Sequence, residues 1–146
     1  MNAVLSAIAR VCLAAIFLGS AVGKITDVSG TVDQMRGVGI PLPNVLVFGA
    51  IAFLLAGGVS VVLGWFTRVG TALLMVFLTL ATYYFHAFWK APEEQFLSQM
   101  IAFQKNLGLF GGLLFLFANG PGLLSVDGRR VVRERVVIEE PTVVSD

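Results

Sequence analysis

A chain of 146 residues that is 57% hydrophobic and 13% charged, with a mean hydropathy of +0.87, lies outside the range of soluble domains, in which about a quarter of residues are charged. Its net charge of +1 singles out no partner, and nothing in the chain suggests nucleic acid. The lone cysteine, Cys12, excludes an intramolecular disulfide and a CxxC redox pair, and reads as a small buried apolar residue.

Charge is also absent over long runs: none lies between Arg36 and Arg68, or between Arg68 and Lys90. A helix needs roughly 20 apolar residues to cross a hydrocarbon core of about 30 Å, and the chain has room for four such helices. The first span runs from about Val4 to Gly23. Ala15, Gly19 and Gly23 recur every four residues, a spacing that lets a neighbouring helix approach closely. Arg10, near its start, is expected to snorkel to the headgroups. A rival reading is a cleavable signal peptide with Gly19-Ser20-Ala21 as the cleavage region; Val4, Leu5, Ile8 and Ala9 ahead of Arg10 favour a span.

Lys24 to Leu42 is the longest polar connection. The second span starts at Pro43, tolerated in a first helical turn because its missing N–H has no partner there, and runs to about Gly64. Ala52, Ala56, Ser60 and Gly64 form a second small-residue stripe, beside Gly57-Gly58. The short turn Trp65-Phe66-Thr67-Arg68 makes the second and third spans antiparallel neighbours. The third runs from Val69 to about Phe88, bracketed by Trp65 and Trp89 at a helical separation of about 36 Å, which matches the two aromatic belts of a bilayer. Thr79, Thr82, Tyr83 and His86 share one of its faces.

The fourth span is short of apolar residues. Leu107 to Ala118 alone makes only about 18 Å of helix, and Gly120-Pro121-Gly122 stops it. It must begin near Phe96, after the start signal of Pro92, Glu93 and Glu94, which draws Gln99, Gln104, Lys105 and Asn106 into the membrane or its edge. Gly108 and Gly112 give a further small-residue contact. The expectation is an all-α transmembrane four-helix bundle, up-down-up-down, over residues 1–120. A polar cytoplasmic tail follows over 121–146, whose Val131-Val132 and Val136-Val137-Ile138 clusters suit a short strand on docking. Arg10, Arg68, Arg129, Arg130, Arg133 and Arg135 on one side outnumber Lys24, Arg36, Lys90 and Lys105 on the other, which predicts both termini in the cytoplasm.

That topology gathers Lys24, Tyr83, His86, Lys105 and Asn106 at the outer side of the bundle as candidate ligand-binding residues, since ionisable groups inside a membrane are expensive and mark function. The plain alternative is that Lys105 snorkels while His86 bonds to Tyr83 or a carbonyl. One histidine excludes a bis-histidine haem, and one cysteine an iron–sulfur cluster; zinc lacks ligands for the same reason. No intrinsic cofactor is expected. An organic ligand remains feasible: Lys105 and His86 can donate to quinone or carboxylate oxygens, with Phe85, Phe88, Phe96 and Phe103 as flat apolar walls.

One ordered series of motifs runs through the chain: Gly23-Lys24, Gly57-Gly58, Leu63-Gly64, Arg68, His86, Phe103-Gln104-Lys105-Asn106-Leu107 and Gly120-Pro121-Gly122-Leu123-Leu124-Ser125-Val126-Asp127. In order and spacing it resembles the DoxX family of small four-helix bacterial inner-membrane proteins, over about residues 5–130. The resemblance implies a four-helix bundle associated with membrane redox systems, the family being named for a subunit of a thiosulfate:quinone oxidoreductase. Such sequences often carry a glutamate shortly before the paired glycines, where this chain has Phe53 and Leu54; chemistry that relies on that acid is not expected here. The leading expectation is an accessory or quinone-interacting subunit of a membrane oxidoreductase, with the bilayer, redox proteins and further copies of itself as partners. Its rivals are a scaffold that recruits a cytoplasmic protein through the arginine-rich tail, and a small-molecule permease, which four short spans disfavour.

Overall fold

In lipid no water completes a backbone hydrogen bond, so an apolar segment satisfies its own N–H and C=O groups by coiling into a helix. A computed structural model describes residues 3–129; the valine clusters of the tail lie outside them. It contains α1 (Ala3–Thr26), α2 (Val28–Gly37), α3 (Pro43–Leu63), α4 (Thr67–Phe85), a 3-10 turn at Phe88–Lys90, and α5 (Glu93–Asn119). No strand occurs among the described residues. Helices α1, α3 and α5, and α4 continued through the 3-10 turn, are each long and apolar enough to cross a membrane. The all-α class read from the sequence therefore holds. Helix α5 begins at Glu93, ahead of Phe96, with Glu93 and Glu94 in the first turn, where acids complement the helix dipole.

The polar connection after the first span is itself partly helical. Asp27 caps α2, its Oδ1 accepting from the Gly30 N–H at 2.8 Å. The apolar side of α2 buries Val32 and Met35 against Val47 of α3, with Ile51 and Phe85 packed alongside. The main core draws on every long helix: Ala14, Phe17 and Ala21 from α1, Leu54 and Val61 from α3, Leu74 and Leu78 from α4, Leu113 and Leu116 from α5. Helix α1 packs chiefly on α3, α3 on α4 and α4 on α5, whereas α1 and α5 touch little. An open seam is left between the first and last helices.

The small-residue stripes are placed differently from the sequence expectation. Ala15, Gly19 and Gly23 are exposed, and a Cβ added at Gly19, Gly23 or Gly108 would meet nothing within 4 Å. The inward face of α1 is instead Arg10, Ala14, Phe17 and Ala21. In α3, Ala52 and Ala56 face outward while Gly57 and Gly58 are buried. A Cβ on Gly57 would lie 2.9 Å from the Gly70 carbonyl oxygen, so the crossing of α3 over α4 depends on glycine at that position. The reason is burial: large side chains such as Phe17 and Leu54 choose the inward face, and a four-residue repeat elsewhere on the helix is carried outward with it. Cys12 is exposed rather than buried.

Candidate functional site

The polar residues of α4 and α5 form two cross-helix pairs. His86 follows the last residue of α4, and its Nδ1 lies 3.0 Å from Gln99 Oε1. Two turns along α5, on the same face as Gln99, Asn106 Nδ2 donates to Thr82 Oγ1 at 2.9 Å, and that hydroxyl donates to the Leu78 carbonyl at 2.6 Å. Side-chain hydrogen bonds of this kind hold helices together where lipid offers no partner. The partner of His86 is thus Gln99, not Tyr83. Tyr83 lies on the exposed side of α4, edge-to-face with Tyr84 at 5.2 Å and with Lys90 Nζ 5.4 Å from its ring centroid.

The aromatic walls expected around this site are occupied by one another. Phe88 packs against Phe96 at 5.8 Å and Phe103 at 5.2 Å, and Trp89 against Phe103 at 6.0 Å, all close to edge-to-face. Phe85 belongs to the cluster under α2. The rings make a packed knot beside His86 rather than an open slot.

The two lysines sit elsewhere. Lys24 Nζ donates to Ser20 Oγ at 3.1 Å and lies 5.9 Å from the Phe77 ring centroid. Lys105 is exposed; one residue from Asn106, it is turned about 100° around α5 from the His86 seam. The five candidates therefore divide: His86 and Asn106 on the α4–α5 seam, Tyr83 outside it, Lys24 and Lys105 on other faces of α1 and α5.

A second polar centre, at the opposite end of the bundle, escaped the sequence reading. Arg10 is only 3% exposed. Its Nη1 donates to the carbonyls of Val61 at 3.2 Å and Val62 at 3.0 Å, and its Nη2 to the Leu124 carbonyl. The α3 carbonyls belong to the last turn, which its own N–H groups leave unsatisfied and where the helix dipole is negative. Arg10 is held there by this fork of acceptors and does not snorkel. Asp127 does the converse for the start of α4. Its carboxylate accepts from the Phe66 N–H at 3.1 Å, the Thr67 N–H at 2.9 Å and the Thr67 hydroxyl at 2.8 Å, and so caps that helix. The Asp127 N–H in turn donates to the Gly64 carbonyl at 2.8 Å. Gly64 adopts φ +65°, and a Cβ there would lie 2.5 Å from Arg10 Nη1; only glycine serves. Ser6 Oγ donates to the Pro121 carbonyl at 2.9 Å. Residues 121–128, assigned to the tail from the sequence, thus lie across the bundle end. The sequence signal for them was the Gly120-Pro121-Gly122-Leu123-Leu124-Ser125-Val126-Asp127 run that closes the ordered motif series. Beside this clasp an open cleft of about 670 Å³ is lined in part by Ser6, Phe66, Arg68, Asn119 and Leu123.

Four membrane-spanning helices, clasped at one end by a buried arginine and an acid from beyond the last helix, define a small polytopic integral membrane protein. Comparison places it more narrowly. The chain belongs to the DoxX family, whose model matches residues 5–87. It is 35% identical over 127 residues to the inner membrane protein YphA of Escherichia coli, covering 86% of this chain and 90% of that one. To the inner membrane protein YqjF of the same organism it is 31% identical, covering 82% and 87%. A shorter likeness, 31% over 74 residues, reaches a Surfeit locus protein 4 homologue of Schizosaccharomyces pombe, covering 49% of this chain and 24% of that protein. No solved structure matches the chain. The family match takes in Arg10, Lys24, Tyr83 and His86, and ends before Lys105 and Asn106.

Proposed function

We propose that this protein is an accessory subunit of an oxidoreductase system in the bacterial inner membrane, and that it presents His86 to the head group of a quinone. The observation that carries this reading is the His86–Gln99 pair. A Gln Oε1 only accepts, so the pair is satisfied when His86 Nδ1 donates to it. That leaves Nε2, which has no hydrogen-bond partner among the described residues, as an acceptor for a quinol hydroxyl. The side chain is half-buried near the helix end, at the depth of the interfacial aromatic rings. The packed knot of Phe88, Phe96 and Phe103 admits no ring between its members, so the head group would rest against its face. Asn106, engaged with Thr82, would position the helix pair rather than touch the ligand. Clustering of Arg10, Val62, Thr67 and Leu124 at one end, and His86 with Gln99 at the other, supports up-down-up-down passage. The excess of arginine on the clasp side supports cytoplasmic termini.

Thermal shift in detergent with a short-chain ubiquinone tests the site. Wild type should be stabilised, and His86→Phe and Gln99→Leu should each weaken binding about tenfold, the worth of one hydrogen bond to a ligand. Lys105→Met, on another face of α5, should bind as wild type. Unaltered binding by His86→Phe would transfer the proposal to the scaffold role through the arginine-rich tail.

A further inference from the structure

The seam between α1 and α5 carries a charge pattern that the quinone reading does not use. The two helices meet where Leu13 faces Gly112: a Cβ on Gly112 would lie 3.5 Å from Leu13 Cδ1. Seven residues from that contact toward the His86 end, on the same helix faces, stand Ser20 on α1 and Lys105 on α5. Lys24 does not reach outward from the nearby end of α1. It folds back one turn, placing its ammonium on Ser20 Oγ, and is half-buried there. An ammonium has three donors; Ser20 accepts from one, and the Phe77 ring of α4 lies 5.9 Å from the nitrogen. Neither lysine has an ion pair with an acid among the described residues. Two cations thus flank one stretch of the seam without a counter-charge. Around them the seam has room and is apolar: toward the His86 end lie Gly23 on α1 and the exposed Ile101 on α5, toward the clasp lie the exposed Ile16 on α1 and Gly108 on α5, and a Cβ at either glycine would meet open space.

We propose that this seam is a lateral binding site for an anionic phospholipid, the phosphate held between Lys24 and Lys105 and an acyl chain lying along the glycine-lined groove. Charge complementarity selects an anion, and an uncompensated ammonium facing hydrocarbon is costly. The apolar, bilayer-facing seam selects an anion that brings its own hydrocarbon. A free phosphate would satisfy the lysines but leave the groove empty.

Native mass spectrometry of the protein in detergent, titrated with phosphatidylglycerol or phosphatidylethanolamine of matched chains, tests it. Phosphatidylglycerol should bind more tightly. Lys24→Met and Lys105→Met should each reduce its affinity about fivefold, the contribution of one basic residue to an anionic lipid, while Lys90→Met, at the same end but outside the seam, should not. Lys105 is exposed, so its variant reads out binding even if Lys24→Met fails to fold. Equal binding of the two lipids, undiminished binding by Lys105→Met, equal stabilisation by inorganic phosphate, or a dimer that excludes lipid would each overturn the proposal. None of these outcomes depends on ubiquinone binding at His86.

Discussion

Arg10 is buried at the clasped end of the bundle, its guanidinium enclosed by backbone acceptors. From sequence it is a cation near the start of a span; in the fold it satisfies three carbonyls drawn from two other segments. A lysine offers a point charge instead of a planar fork and fits such a set poorly. Arg10→Met leaves those acceptors buried without partners and should cost about 2–3 kcal/mol, read as a lowered unfolding midpoint in detergent. Asp127→Ala removes the cap of α4 and should cost about 1–2 kcal/mol. Both act on the same closure, so the double variant should lose clearly less than the sum. Strict additivity would mean that the arginine and the aspartate hold the bundle end independently.

At the scale of helices, the decisive contacts are made by Gly57 and Gly70 rather than by the longer runs of small residues. Gly57→Ala drives a methyl group against the Gly70 carbonyl and Leu74, whose Cγ would be 2.6 Å away. It should destabilise by about 1–3 kcal/mol. Gly19→Ala meets open space and should be neutral or gain up to about 1 kcal/mol from helix propensity. Thermal unfolding of the two variants side by side separates the cases. A loss at Gly19 equal to that at Gly57 would reveal that the outer face of α1 is covered by another molecule in the assembled protein. The four long helices and the start signal of Pro92, Glu93 and Glu94 were legible from hydropathy and turn residues; helix α2 was not, and α5 starts three residues ahead of Phe96. Which stripe packs was also not legible, because helical spacing states only that residues share a face, never which face turns inward.

For the whole molecule, the arginine excess and the clustering of helix ends are the grounds for the orientation proposed above, which reporter fusions test. Reporter fusions after Asp146 should report the cytoplasm, and fusions within 91–95 the opposite compartment. A reversed pair of signals would invert the placement of the proposed quinone and lipid sites in the bilayer while leaving their chemistry intact. The candidate site was legible in part. His86, Asn106, Lys24 and Lys105 stand out as polar residues in apolar segments, yet the sequence grouped them at one outer face. The fold turns Lys105 away from His86 by a single residue step on α5 and supplies Gln99 and Thr82 as the partners.

Sequence alone determined that the chain is a membrane protein, that it is all helical, that four segments are long enough to cross, and that it resembles the DoxX family. The first three follow from composition and local periodicity, which act within one segment at a time; the resemblance rests on the ordered series of motifs from Gly23-Lys24 to Asp127. Tertiary structure decided that Arg10 is buried, that Asp127 caps α4 from 60 residues away in the chain, that residues 121–128 close the bundle end, and that the polar candidates divide between two seams. Each of these depends on hydrogen bonds or packing between segments distant in sequence. A buried donor or acceptor takes whichever partner the assembled helices bring within reach, and no local pattern records which one that will be.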